Sequence, residues 1–292
     1  MNSQRRRFAT KWLGNLGLLG RVRLSSRSRP GADLPAMARQ GAWSTAKNMN
    51  INMLARKAAK NGAPAAYGGA VQVEDMFRFV LFHGEAAADE IERLSKQHGW
   101  LMDGVVLPNG NLVPPMGRWA QTCIFFGRGG VAALRPQLDD QASASFAAAF
   151  LVHVASVESV ELLVDYCLRV SWSEADSEHP GWKAMASLNR LLSFDDCVQV
   201  RPALLDSLRP IVFAAFTAAP TPAQQVLCLC VARGVPSPSA VAWAEALVLS
   251  DPDVLRIRDM AIKAMRKRLS PEYKVPTKEQ KRQIHRQRAA DV

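Results

Sequence analysis

The sequence predicts an all-α protein: an antiparallel helical array or α-solenoid with extended basic N- and C-terminal arms. Three observations predict it. From Gln141 onward apolar residues recur at helical spacing through seven consecutive segments, with no strand alternation. Breakers separate them: Pro180-Gly181, Pro202, Pro220 with Pro222, Gly234, Pro236 with Pro238, and Pro252. Short connections between helices of about 12 to 17 residues make sequence neighbours antiparallel. Charge, finally, concentrates at the ends. Residues 1–73 hold 13 Lys/Arg against one acid, Asp33; residues 74–254 hold 12 against 21; residues 255–292 hold 12 against four.

The 292 residues can bury a substantial core, and 48% hydrophobic with 22% charged residues is ordinary globular composition. Collagen, low-complexity and disulfide-scaffold classes are excluded. The longest apolar runs, near 146–155 and 211–219, are about half the roughly 18 residues a membrane crossing needs. The net charge of +11 points to a polyanionic partner.

The first segment, 1–32, has the composition of a mitochondrial presequence. It carries eight Lys/Arg, no acid and several serines. Phe8, Trp12, Leu16 and Leu19 would form one apolar stripe on a helix, with Arg5, Arg6, Arg7 and Lys11 beside it. Arg23-Leu24-Ser25-Ser26 resembles a matrix-processing site. A retained basic arm is the alternative. Cys123, Cys167, Cys197, Cys228 and Cys230 are odd in number and irregular in spacing, which fits a reducing compartment such as the matrix.

Residues 33–73 read as a basic extension with one helix, Thr45 to Lys60, ended by Asn61-Gly62. Arg56, Lys57 and Lys60 sit at its end, where cations suit the helix dipole. Residues 74–140 read as a helical N-terminal part, with helices over Glu74–His83, Ala86–His98 and Pro115 to about Phe126. Asn109-Gly110 suits a hairpin turn between Val105-Val106 and Leu112-Val113, with Pro114-Pro115 close behind weighing against it. Residues 141–269 form the body, with helices over 142–155, 157–170, 181–193, 201–217, 222–233, 237–249 and 252–269. Asp251-Pro252 is a cap followed by proline at the first helical position. In the tail, 270–292, Thr277-Lys-Glu-Gln280 is a capping box opening a last helix, Lys278 to Ala289. Its cations cover most of its circumference, with Ile284 the one large apolar group, so it has little to bury.

Two stretches share a layout: Phe146 to Leu163 and Val226 to Val241. Each is an apolar helix, a small-residue turn containing valine, and a second amphipathic helix. This pattern resembles the degenerate helical-pair repeats, octotricopeptide and heptatricopeptide in kind, of organellar RNA-metabolism and mitochondrial ribosome-associated proteins. The resemblance covers about 142–269 and implies single-stranded RNA contact along a concave face. Here that stretch is acidic until about residue 255, which favours a scaffold.

The chain carries no recognisable signature of catalysis. Asp176, Glu178 and His179 form one local acid/His cluster, in a loop; Cys228 and Cys230 point to different sides of one helix, as core residues rather than a metal pair. Gly127-Arg128-Gly129-Gly130 lacks the Lys-Ser/Thr of a phosphate loop and reads as a helix terminator. His153 reads as a satisfied buried histidine, and the tryptophans as core.

No enzyme, cofactor or metal is therefore expected. The expectation is a non-catalytic structural subunit of a mitochondrial ribonucleoprotein, foremost the mitochondrial ribosome or its assembly intermediate. Its acidic body would contact neighbouring proteins of a large complex. It would bind ribosomal or other mitochondrial RNA through Arg56, Lys57, Lys60, Arg256, Lys263, Arg266, Lys267, Arg268, Lys278, Lys281, Arg282, Arg286 and Arg288. The alternatives are a helical-repeat RNA-processing or stability factor, and a soluble accessory subunit of a respiratory complex.

Overall fold

A computed structural model describes residues 69–103, 105–106, 112–113, 116–193 and 198–274. The expected presequence segment, the helix at 45–60 and the tail helix at 278–289 lie outside these residues. The fold is all-α. In chain order the helices are α1 (Gly69–His83), α2 (Glu85–His98), α3 (Met116–Gly129), α4 (Arg135–Asp139), α5 (Gln141–Val154), α6 (Val157–Arg169), α7 (Pro180–Ser193), α8 (Pro202–Ala218), α9 (Pro222–Ala232), α10 (Pro238–Ala246) and α11 (Pro252–Leu269). Short 3-10 turns lie at Val131–Leu134 and Trp172–Glu174. Two two-residue strands, β1 (Val105–Val106) and β2 (Leu112–Val113), pair antiparallel with Val105 opposite Val113. The hairpin therefore forms; the two prolines lie just past its second strand.

The chain divides into two compact units, Met1–Cys123 and Ile124–Val292. In the first, α1 packs on α2. Met76, Phe77 and Val80 on α1 and Ala87, Ala88, Ile91 and Leu94 on α2 are buried at helical spacing. Gly84 and Gly99, both at positive φ, break the chain before and after α2. Gly117 admits no side chain. A Cβ there would lie 2.7 Å from the Leu101 carbonyl oxygen, to which the Gly117 amide donates at 2.6 Å.

The second unit is a two-layer array. Helices α5, α7, α9 and α11 pack successively on one another as an odd-numbered layer, while α4 packs on α6 and α6 on α8 in an even-numbered one. The layers join through the pairs α4–α5, α6–α7, α8–α9 and α10–α11. The odd-numbered helices run parallel from α7 to α11, because their C-terminal ends converge. Arg268, at the end of α11, donates to the carbonyls of Leu192 at 3.3 Å and Arg233 at 2.8 Å, and Ser193 Oγ donates to the Cys230 carbonyl at 3.1 Å. A Cβ on Gly234 would lie 2.7 Å from both Leu192 Cβ and Ser193 Oγ, so that junction requires glycine. The two repeat-like stretches both run from an odd-numbered to an even-numbered helix, α5 to α6 and α9 to α10, and so occupy equivalent places in the array.

Local chemistry explains the boundaries. The side chains of Asp140, Ser156, Thr221, Ser237 and Asp251 accept amide hydrogens at the starts of α5, α6, α9, α10 and α11. Proline follows the cap in α8, α9, α10 and α11. All seven expected body helices are present within a residue at each end, apart from α10, which stops at Ala246 rather than 249. There the Leu247 carbonyl accepts from Arg258 of α11 at 3.1 Å, so the chain turns out of the helix to meet it. The 3-10 turns and α4, five residues long, were not anticipated.

The layers are stitched differently. Arg135 pairs with Asp165 at 2.7 Å, Arg169 with Asp139 and Asp165, and Arg201 with Glu161 at 3.0 Å, linking α4, α6 and the start of α8. Trp243 of α10 stacks on Phe213 of α8 at 4.2 Å and meets Phe216 edge-on. Between α6 and α7, Trp172 and Trp182 pack edge to face at 4.9 Å, and their ring N–H groups donate to the carbonyls of Cys167 and Asp176. Buried Gln224 donates to the Ser177 carbonyl at 3.0 Å and pins the 173–179 loop onto α9.

One position departs from these rules. Ala155 ends α5 at φ 50°, a left-handed conformation that costs an alanine about 1 kcal/mol. Ala155→Gly is expected to raise stability by about 0.5 kcal/mol, net of the extra freedom glycine gives the unfolded chain. A urea titration of both proteins with equal slopes checks it.

Candidate functional site

The expected RNA-contacting residues fall into three groups. Arg56, Lys57, Lys60, Lys278, Lys281, Arg282, Arg286 and Arg288 lie outside the described residues. Arg256, Lys263 and Lys267 are exposed on α11 at spacings of seven and four, which puts them on one strip with exposed Met260. Arg256 has a loose partner, Asp253 at 3.7 Å, while neither Lys263 nor Lys267 forms an ion pair among the described residues. Arg266 projects to another side and pairs with Glu245 of α10. Arg268 is part-buried, and its guanidinium is engaged by the Leu192 and Arg233 carbonyls. That geometry gives it a packing role, and only Arg256, Lys263 and Lys267 of the α11 set form an open cationic strip.

Charge also segregates by layer. Helices α5, α7 and α9 contain no Asp or Glu, and α7 contributes Lys183 and Arg190. Helix α11 carries Arg256, Arg258, Lys263, Arg266, Lys267 and Arg268 against Asp253 and Asp259. The even-numbered helices hold Asp139, Glu158, Glu161, Asp165, Asp206 and Glu245 against Arg135, Arg169 and Arg209. The odd-numbered layer thus carries no helical acid before α11 and holds its Lys and Arg on α7 and α11, while α5 and α9 have neither sign.

Sequence reasoning missed Lys183 and Arg190. The signal was present in the absence of acids from alternate helical segments, but a count along the chain averages the two layers. Lys183 is half-buried and Arg190 exposed. Burial, with the like charge of Arg190 next, holds the Lys183 amine below the ordinary lysine range. Neither cation has a carboxylate partner among the described residues.

The remaining candidates have structural employment. His179 Nδ1 accepts the Gly181 amide at 3.0 Å and thereby caps the start of α7. Asp176 accepts the Glu178 amide at 3.0 Å within the same loop. Cys228 is buried and Cys230 half-buried, on different sides of α9. Burial pushes the thiols of Cys123, Cys167 and Cys228 far up and the Tyr166 phenol up to about 12, leaving each neutral at physiological pH. Gly130, at φ 63°, ends α3 by donating to the Phe126 carbonyl. His153 is half-buried on α5. Among the described residues no group of three or more His, Cys, Asp or Glu side chains could hold a metal, and no helix is long and apolar enough to cross a membrane.

No protein-family model matches the chain, and no curated protein or solved structure matches it either.

Proposed function

We propose that this chain is a non-catalytic structural subunit of a mitochondrial ribonucleoprotein, foremost the mitochondrial ribosome or an assembly intermediate of it. Its cations would neutralise RNA phosphates and its acid-rich layer would face neighbouring proteins. The observation that carries the reading is the Arg256–Lys263–Lys267 strip. It is an open row of cations leading into a C-terminal stretch that holds 12 Lys/Arg against four acids from residue 255 onward. Exposed cations on a preformed helix lose little entropy when phosphates arrive, and each phosphate contact releases condensed counterions. The mitochondrial assignment rests on the composition of residues 1–32. A helical-repeat RNA factor is the second reading, favoured by the equivalent placement of the two repeat-like stretches in the array.

The test is sedimentation of the tagged full-length protein from lysed mitochondria, with and without ribonuclease. Co-migration with a ribosomal subunit, collapsing on nuclease treatment, is expected. Migration in a nuclease-resistant but detergent-sensitive complex would overturn the proposal in favour of a respiratory-complex subunit. At the residue level, the triple variant Arg256→Gln/Lys263→Gln/Lys267→Gln is expected to weaken RNA binding without regard to sequence. It should also flatten the slope of log affinity against log salt by about two to three units, read by fluorescence anisotropy.

A further inference from the structure

We propose that the open side of α7, marked by Lys183 and Arg190, is a second phosphate-binding contact, so that one RNA strand crosses the odd-numbered layer from α11 to α7. The inference rests on the reading of the α11 strip as an RNA contact and extends it to residues that reading does not use.

Packing defines the face. Helix α7 has α5 and α9 beside it in its own layer and α6 against it from the other, so three sides are occupied. Of the α7 positions that retain exposure, Lys183 and Arg190, seven residues apart, share the remaining side, whereas Ser193 turns to α9, where its Oγ donates to the Cys230 carbonyl, and the Asn189 Oδ1 is buried. On α9 the partly exposed Val226, Cys230 and Arg233 likewise share one side, and none is acidic. On α11 the strip Arg256–Lys263–Lys267 lies away from Arg266, which reaches across to Glu245 in the even-numbered layer. The open side of the odd-numbered layer therefore has cations on α7 and α11 and no carboxylate on α5, α7 or α9. The acids nearest α7 in sequence are Glu174, Asp176 and Glu178 in the loop before it, and Asp195 and Asp196, which lie outside the described residues. None of the loop acids pairs with Lys183 or Arg190.

Placing two like charges on one helix face, one of them half-buried, is unfavourable for the protein alone. A ligand with repeating negative charge relieves that cost. Lys183 and Arg190 stand about 10 Å apart along the helix axis. With helices packing about 8–10 Å from their neighbours, α7 and α11 are separated by roughly two such steps. An extended polyanion spans both, whereas a single phosphate or isolated carboxylate meets one of them. A nucleic-acid backbone fits better than an acidic protein because the α11 end continues into the basic C-terminal stretch, and Arg guanidinium beside Lys amine is the ordinary equipment for phosphate.

The experiment compares full-length wild type, Lys183→Gln/Arg190→Gln, and the α11 triple variant for binding to a 20-nucleotide single-stranded RNA across a salt series. Polyglutamate serves as a competitor, and thermal melts establish folding. The α7 double variant should lose several-fold in affinity at low salt and flatten the salt slope by about one to two units. The charge-conserving Lys183→Arg/Arg190→Lys variant should bind as wild type. RNA should also protect Lys183 of the wild type from an amine-acylating reagent, a measurement that needs no variant to fold. Loss of affinity in the α11 variant alone, with Lys183 unprotected, would overturn this inference and leave the α11 reading standing. No loss in either variant would overturn both. Polyglutamate displacing RNA at equal charge concentration would mark the face as a docking site for acidic protein and overturn the inference as well.

Discussion

Leu188→Ala is expected to lower the unfolding free energy by about 3–4 kcal/mol, the largest effect of any single truncation considered for this chain. Leu188 is 0% exposed at the centre of α7. That helix packs against α5, α6 and α9 at once, and its other buried positions include Met185, Leu191 and Leu192. Removing three carbons from such a site loses their transfer energy and leaves a cavity that three surrounding helices cannot jointly collapse. The consequence reaches beyond the number. In a layered array each helix pair is stabilised chiefly by its neighbours, so a defect in the middle weakens the coupling between the two flanks. Two sets of tryptophans report on those flanks: Trp172 and Trp182 at the α6–α7 junction, and Trp243 between α8 and α10. Urea unfolding followed by circular dichroism and by fluorescence of single-tryptophan variants should give one midpoint in wild type and separated midpoints in Leu188→Ala. Met265→Ala, a fully buried truncation on the terminal helix α11, should instead loosen that end alone. Coincident midpoints for Leu188→Ala with a loss below about 1 kcal/mol would contradict the layered account.

The helices were legible in the sequence because their boundaries are local chemistry. Pro202, Pro222, Pro238 and Pro252 each sit at a helix start, and Thr221, Ser237 and Asp251 cap from the preceding position. These signals need only three or four residues to act. Layer membership is not local. Nothing within α7 itself says that α5 and α9 will flank it, and only that arrangement turns Lys183 and Arg190 outward on one side. A count along residues 74–254 returned a net acidic body because it pooled the acids of residues 74–103, of the loops and caps and of α6, α8 and α10 with the acid-free α5, α7 and α9. The expectation that an acidic repeat region favours a scaffold followed from that average, which does not register that α5, α7 and α9 carry no acid. Arg268 shows the same limit in reverse. In sequence it is one more cation in a basic run, and only the convergence of three helix ends distinguishes it from Lys267 beside it.

That neighbouring pair separates packing from phosphate contact in a single measurement set. Arg268→Met is expected to cost about 2–3 kcal/mol of stability, because it removes two charge-assisted hydrogen bonds and strands the carbonyls they satisfied. Those carbonyls belong to Leu192 at the end of α7 and Arg233 at the end of α9, where a cation also complements the helix dipoles. Lys267→Gln should change stability by less than about 0.5 kcal/mol, since the amine is exposed and outside any ion pair among the described residues. For RNA binding the order inverts. Lys267→Gln should flatten the salt slope by about 0.7–0.9 units, whereas folded Arg268→Met should keep the wild-type slope. A hydrogen-bonded guanidinium already holds its acceptors inside the protein, and exchanging carbonyl for phosphate would break the α7–α9–α11 junction that positions the strip. Thermal melts paired with salt-dependent anisotropy on the two variants read both effects. A reduced slope in folded Arg268→Met would show that its packing bonds yield to phosphate, and would place Arg268 back among the RNA contacts.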